Sequence, residues 1–460
     1  MKISSLWRQY EKTVPSANVK LGSTYDENEK LATFSLWAPS AEKVEVLIYK
    51  NPDLSCILKT PMEISDNSGV WKAQVCLEKF NPDSKFKTFF YEFEVTRSGE
   101  TKNCLDPYAF SLSADKSDGK LPKAALIDFS NLGSQPGGGW LSDSSDNGFN
   151  KNGLYANGEF ASFFKNREDA IIYEISVRDA TISEDSPEQD KTKKGTYIGF
   201  CTILPYLKEL GVTHIQLMPV MKFCNNDETS RWYEDKKSTH NNNYNWGYNP
   251  YHYNVPEGRY TNYGSEKDGT DSVIQMRKMI KAFHDAGIAV NMDVVYNHTN
   301  GVGNGSLYDM TVPEYFYRFD SQGNYANGSG CGNEVATNHK MVNYYVIESL
   351  KHWMKDYHIN GFRFDLMGCL EESTMQDIYN ALYAIDKNVM VYGEPWTGGT
   401  SEVKNGAVAA VDTSKDGYGV GAFDDDFRDA IKGKEFGGFG KGQVQGIYSD
   451  SGIIAGLCGL

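Results

Sequence analysis

From residue 168 onward the sequence alternates between strand-length apolar runs and segments whose apolar residues recur at helical spacing. "AIIYEISVRD" (170–179) reads as a strand and "FCTILPYLKELGV" (200–212) as a helix ending at Gly211. "THIQLMPV" is the next strand. "DSVIQMRKMIKAFHDAGI" is the next helix, with Gly287 where a C-terminal glycine belongs. "AVNMDVVYNH" is a strand, and "MVNYYVIESLKHWMKDYHI" is a helix with Val342, Tyr345, Val346, Ser349 and Trp353 on one stripe. "GFRFDLM" and "VMVYGEPW" are further strands. Repeated β-α units leave few options, because parallel strands need crossover connections that cover the sheet with helices. The number of units points to a (β/α)8 TIM-type barrel rather than an open sheet. About six strands are legible, so the barrel is expected to be incomplete in this chain.

The first quarter follows another rule. In "LATFSLWAPSAEKVEVLIYK" two alternating runs are split by a Pro-Ser turn, and Val44, Val46 and Ile48 share a face. Tyr91, Phe93 and Val95 alternate with Glu92 and Glu94. Short alternating strands predict an antiparallel β-sandwich over 1–127. Residues 128–167, rich in Gly, Ser and Asn, read as a linker. Residues 168–460 are the barrel. Within it, 221–270 reads as a loop of about fifty residues, a length uncommon in compact domains unless it is functional or disordered.

Strand periodicity places chemistry at one end of this barrel. In "GFRFDLM", Phe362 and Phe364 point one way while Arg363 and Asp365 point the other. Arg363 would orient Asp365. Glu394 closes the next strand, with Pro395 ending ladder pairing behind it. "AVNMDVVYNH" puts Asp293, Val295 and Asn297 on one face, with His298 at the exit. Three consecutive strands thus send a carboxylate to one mouth. A structural ion network is the competing account of any single one. Two carboxyls roughly 5–5.5 Å apart suit retaining glycoside hydrolysis. The loop stretch "YNWGYNP" (244–250) supplies aromatic faces on which sugar rings stack, although core packing is the ordinary use of such residues.

Bulk properties narrow the partner. The net charge of −15 argues against nucleic acid or an anionic membrane and favours a neutral substrate. Eight cysteines occur, none in a C-x-x-C pair. No apolar run resembles a signal peptide or a membrane span. A cytoplasmic protein with reduced thiols is expected. No cofactor is expected; no D-x-D-x-D-G loop occurs, and calcium stays open.

These segments resemble the alpha-amylase superfamily, glycoside hydrolase family 13. "DVVYNHT", "GFRFDLMGC" and "VYGEPW" are similar to three of its blocks, and "YNWGYNP" resembles the marker of type I pullulanases. "NCLDPYA" and "FRDAIKG" are also like pullulanase segments, and the likeness covers nearly the whole chain. The resemblance implies a carbohydrate-binding-type sandwich and a catalytic barrel cleaving α-1,6 linkages in branched α-glucans such as pullulan, amylopectin or glycogen. It implies Asp365 as nucleophile and Glu394 as general acid/base. Arg363, Asp293 and Asn297 would be supporting residues, His298 a sugar ligand and Tyr248 a stacking platform. Trp246, Asn249 and Trp396 would shape the substrate site.

Two departures stand out. Ser176 occupies a position where the family often has His. The family's fourth block, a His-Asp pair, has no counterpart, because the last histidine is His358. "GAFDDDF" (421–427) reads as loop after a sixth strand, not as a replacement. Two alternatives therefore stay open: a glucan-binding remnant without turnover, and an α-1,4-acting hydrolase, against which "YNWGYNP" weighs.

Overall fold

The computed structural model describes residues 7–15, 19–26, 28–64, 67–80, 88–116, 120–127, 167–224, 227–229, 244–262, 269–404, 419–434, 440–447 and 450–458. The linker expected over 128–167 lies outside them, apart from Arg167.

The N-terminal strands form two facing antiparallel sheets. One has the order β1 (Gly22–Asp26), β2 (Leu31–Trp37), β6 (Val70–Cys76), β5 (Glu63–Ile64). The other runs β4 (Leu58–Pro61), β3 (Lys43–Tyr49), β7 (Phe90–Arg97), β8 (Glu100–Cys104), with β9 (Ala124–Ala125) also on β7. The alternation sets the register: Val44 pairs with Val95, Val46 with Phe93 and Ile48 with Tyr91, all facing inward. Phe34 meets Tyr91 from the other sheet at 5.0 Å between ring centroids. Residues 7–15 precede the first strand and lie against the barrel. Trp7 stacks on His339 at 4.3 Å, and Glu11 accepts a hydrogen bond from the Tyr315 hydroxyl.

The second region is one parallel sheet in chain order: β10 (Ile172–Ile175), β11 (His214–Leu217), β14 (Ala289–Val294), β15 (Gly361–Phe364), β16 (Met390–Gly393), β17 (Val420–Ala422). The first five are the strands read from the periodicity; the sixth includes Gly421 and Ala422, and a helix follows at Asp425–Lys432, where 421–427 was expected to be loop. Among the described residues β10 and β17 each pair with one neighbour only, so the sheet has two edges. Ile171 and Ile172 are exposed on the β10 side. The helix Lys340–Tyr357 buries its stripe of Val342, Tyr345, Val346, Ser349 and Trp353. It stops at His358 in the left-handed conformation. Gly211 and Gly287 follow their helices with φ of 79° and 80°.

The stretch 221–270 departs from the expected single loop. It contains an antiparallel pair, β12 (Met221–Phe223) and β13 (Pro250–Pro256), and a 3-10 turn at Gly258–Tyr260. "PYHYNVP" is bracketed by prolines, which read as loop in isolation. As an edge strand it tolerates them, because the missing N–H groups fall at its ends. Among the described residues no helix is long and apolar enough to cross a membrane.

Candidate active site

Asp365 and Glu394 sit one residue beyond the ends of β15 and β16, yet their backbones are still held. The Asp365 amide donates to the Val294 carbonyl at 3.1 Å, and the Glu394 amide to Phe364 at 3.1 Å. The chain then turns sharply at Leu366, a non-glycine residue with φ 42° and ψ 51°. Such a conformation costs about 1–2 kcal/mol. Here it aims the Leu366 amide at Glu394, which accepts through Oε2 at 2.8 Å.

Arg363 joins the three carboxylates. In the sheet it lies opposite Asp293 on β14. Its Nη1 donates to both Asp293 oxygens at 3.0 Å and to Asp365 Oδ1 at 3.1 Å. Its Nη2 is 2.6 Å from Glu394 Oε1. The guanidinium is also 5.7 Å from the ring centroid of Phe423, just past β17. A planar fork can serve three acceptors in fixed directions, which an ammonium cannot.

Asp293 is fully buried, and that burial pushes its carboxyl up to about 7 against the pull of Arg363. Burial also raises Glu394 above the usual carboxylate value, with Arg363 and the Leu366 amide opposing. Tyr248 donates its hydroxyl to Asp293 Oδ2 at 2.7 Å. Asn297 Nδ2 donates to Asp365 twice, at 2.8 Å to the carbonyl and 2.8 Å to Oδ2. His298 lies between Asn297 Oδ1 (2.6 Å) and the Tyr248 carbonyl (3.1 Å). Both are acceptors, which favours a doubly protonated ring, but burial lowers its pKa.

The segment 244–250 is fastened by its own amides. Asn245 Nδ2 donates to the Cys224 carbonyl at 3.1 Å and to Asn249 Oδ1 at 2.9 Å. Asn249 Nδ2 reaches the same carbonyl at 3.1 Å. Gly247 has φ 95°, and a Cβ there would lie 2.8 Å from that of Pro219 and 2.9 Å from the Pro219 carbonyl oxygen. Glycine is needed on both counts. Trp246 stays 57% exposed, with Nε1 donating to Tyr244 at 2.5 Å.

Tyr248, Asp293, Asn297, His298, Arg363, Asp365 and Glu394 thus form one connected network. Asn249 faces the loop's own bonding. Trp246 and half-buried Trp396 show no hydrogen bond to that network. The reach of Arg363 to Glu394, the Leu366 amide and the Tyr248 hydroxyl bond were not foreseen. Alternation along one strand says nothing about reach across two, and the last two depend on backbone turns. Deeper in the sheet, Tyr392 donates to Gln216 Oε1 at 2.8 Å beneath this network. Among the described residues no group of three His, Cys, Asp or Glu could hold a metal ion.

Residues 20–109 match the family described as "Carbohydrate-binding module 48 (Isoamylase N-terminal domain)", and 161–304 match "Alpha amylase, catalytic domain". The chain is 34% identical over 437 residues to Pullulanase A of Streptococcus pneumoniae serotype 4, covering 93% of this chain and 32% of that protein. It therefore spans about a third of the length of the first curated relatives it matches. A pullulanase mutant of Paenibacillus barengoltzii solved with maltotriose superposes with a TM-score of 0.81 at 29% identity, over 100% of this chain and 66% of that one. The pullulanase of Bacillus acidopullulyticus superposes at 0.78 and 35% identity, over 96% of this chain and 50% of that one.

Proposed function

The chain belongs with the type I pullulanases of the alpha-amylase superfamily, and from that premise we propose that it carries the reacting carboxylates of a retaining hydrolase for α-1,6 branch linkages in α-glucans. The observation that carries this reading is Arg363, whose guanidinium binds Asp293, Asp365 and Glu394 together. In this reading Asp365 attacks the anomeric carbon and forms a glycosyl-enzyme bond. The glycosidic C–O bond breaks, and Glu394 gives its proton to the departing oxygen. Water then attacks the intermediate, Glu394 takes back a proton, and Asp365 leaves. The burial that raises Glu394 above the usual carboxylate value shifts it in the direction a general acid needs. Asn297 orients Asp365, and Tyr248 with Arg363 fixes Asp293 beside the sugar. The face of Tyr248 is the stacking platform, His298 a sugar ligand, and Trp246, Asn249 and Trp396 bound the site. Pullulan, amylopectin, glycogen and limit dextrins are the proposed substrates, and a pullulanase solved with maltotriose supports glucan binding. The eight cysteines form no disulfide with one another, which supports a reducing, cytoplasmic setting.

Replacing Glu394 with Gln in the complete protein tests the acid role. The loss should be smaller on an aryl glycoside with a good leaving group than on a branched dextrin. Equal losses on both would sink it. The two edges of the six-stranded sheet favour a second reading, in which residues 1–460 alone bind glucan without cleaving it. Maltotriose binding by this chain with no reducing-sugar release from pullulan would be its signature.

A further inference from the structure

Lys222, on β12, has a side chain only 2% exposed. Its ammonium is 2.7 Å from Glu228, 3.5 Å from Asp115 and 3.8 Å from Glu257. A buried lysine needs such company, because an unpaired ion loses its hydration without return.

Each acid comes from a different part of the chain. Glu228 belongs to the connection after β12. Its amide donates to the Asp115 carbonyl at 2.8 Å, and its carboxylate accepts the Asp115 amide at 2.9 Å. Asp115 lies between β8 and β9 of the sandwich, so these bonds stitch the barrel's long connection to the N-terminal module. Glu257 follows β13, and its carboxylate accepts the amides of Phe223 at 3.1 Å and Arg259 at 2.8 Å. The β12–β13 ladder is irregular at this point, with a register shift on either side of Lys222. A ladder of so few regular pairs is weak, and the ionic cluster supplies what it lacks.

The path from this cluster to the candidate site is short. Two residues past Lys222, the Cys224 amide donates to the Asn249 carbonyl at 3.1 Å. The Cys224 carbonyl accepts the side-chain amides of Asn245 and Asn249. Tyr248 lies between those asparagines, with its hydroxyl on Asp293.

We propose that Lys222 is a positioning residue: by gathering Asp115, Glu228 and Glu257 it fastens β12 to the N-terminal module and so holds Tyr248 against Asp293. This rests on the reading of Asp293 and Tyr248 as part of the active site, but its test does not depend on turnover. Amide hydrogen exchange on the full 460-residue chain is the measurement. Lys222→Met should speed exchange of the hydrogen-bonded amides of Cys224 and Gly247 about tenfold, while β2, β6 and β14 keep their protection. Lys222→Arg, which retains a cation, should recover most of that protection. Unchanged exchange at Cys224 and Gly247, or an increase equally large across the sandwich and the parallel sheet, would overturn the proposal. Should Lys222→Met not fold, the isosteric Glu228→Gln must show the same local pattern at about threefold, and its absence is equally fatal. Failure of pullulan hydrolysis in the complete wild-type protein would defeat the proposed function and leave this exchange pattern standing.

Discussion

Two places in this molecule set one cation among three carboxylates, and they do so for different ends. Around Arg363 the side chains of Asp365 and Glu394 remain 14% and 17% exposed. Around Lys222 the side chains of Glu228 and Glu257 are 6% and 0% exposed, and only Asp115, on the sandwich side, reaches 18%. The first cluster lies at the mouth of the parallel sheet and leaves two acids within reach of a ligand. The second buries the two acids of the long connection against the ammonium and leaves only Asp115 partly exposed. The choice of cation matches. Guanidinium directs separate N–H groups to separate acids and holds each at an angle, whereas ammonium is a point charge that merely neutralises. One cluster presents its carboxylates, and the other uses them up.

The harshest way to break the comparison is to remove a presented acid. Asp365→Asn in the complete protein should cut pullulan hydrolysis on the order of 10⁴-fold while glucan binding survives, since no neighbour replaces a covalent nucleophile. Reducing-sugar release, set beside maltotriose binding, checks both halves, and activity within tenfold of wild type would refute the assignment.

Turning the first cluster into a copy of the second comes next. Arg363→Lys keeps the charge and loses the fork, so turnover should fall about 10²–10³-fold, in the range of losing one directed donor. If the lysine variant worked almost as well, direction would not matter here and the contrast would collapse.

Asp293 sharpens the contrast through pH. Its carboxyl is raised from 3.8 to about 7 in the folded protein. Between those values the folded state keeps a proton that the unfolded chain releases. Stability therefore falls as pH rises from about 4 to about 7. Asp293→Asn should remove this component, so the difference in stability between variant and wild type should grow by on the order of 1–3 kcal/mol across the window. Thermal unfolding against pH measures it, and parallel curves for the two proteins would contradict the raised value.

The smallest effect concerns Tyr248. Loss of its hydroxyl leaves one Asp293 oxygen with Arg363 alone, so Tyr248→Phe should weaken turnover about tenfold. Tyr248→Ala should do more, because the ring face is lost as well. Equal behaviour of the two on a kcat and KM comparison would make the ring irrelevant.

The presenting cluster was largely legible in the sequence and the one around Lys222 was not. Within "GFRFDLM" and "AVNMDVVYNH" the strands run to Phe364 and Val294, and up to there a period of two dictates which side chains share a face. That logic places Asp293 and Arg363 side by side, while Asn297 and Asp365, just beyond the strand ends, join them through hydrogen bonds. It could not see that Leu366 turns left-handed, or that Tyr248 reaches Asp293 through its hydroxyl. Both depend on backbone conformations that no periodicity encodes. Asp115, Lys222, Glu228 and Glu257 come from the end of one module and both ends of a long connection. No local pattern unites them, and the connection itself was read as one loop of about fifty residues. The sandwich was legible for the opposite reason, since its antiparallel strands alternate, as in Val70–Cys76, where buried and exposed residues take turns from Trp71 to Cys76.

The order of the parallel sheet has a consequence in time. Every strand lies beside its predecessor in the chain, so the sheet can grow at one edge while synthesis proceeds. Each new edge must wait for the next strand to leave the ribosome. Between β15 and β16 about twenty-five residues intervene, a few seconds at roughly 5–20 residues per second. Between β11 and β14 about seventy intervene, so His214–Leu217 waits longest, for roughly 4–14 seconds. An apolar edge left open that long is exposed to any other nascent strand nearby. In that interval β12 and β13 emerge and pair, and the Glu257 amide bonds to Val220, three residues past the waiting edge. The long connection can thereby shield β11 during synthesis before it ever positions Tyr248.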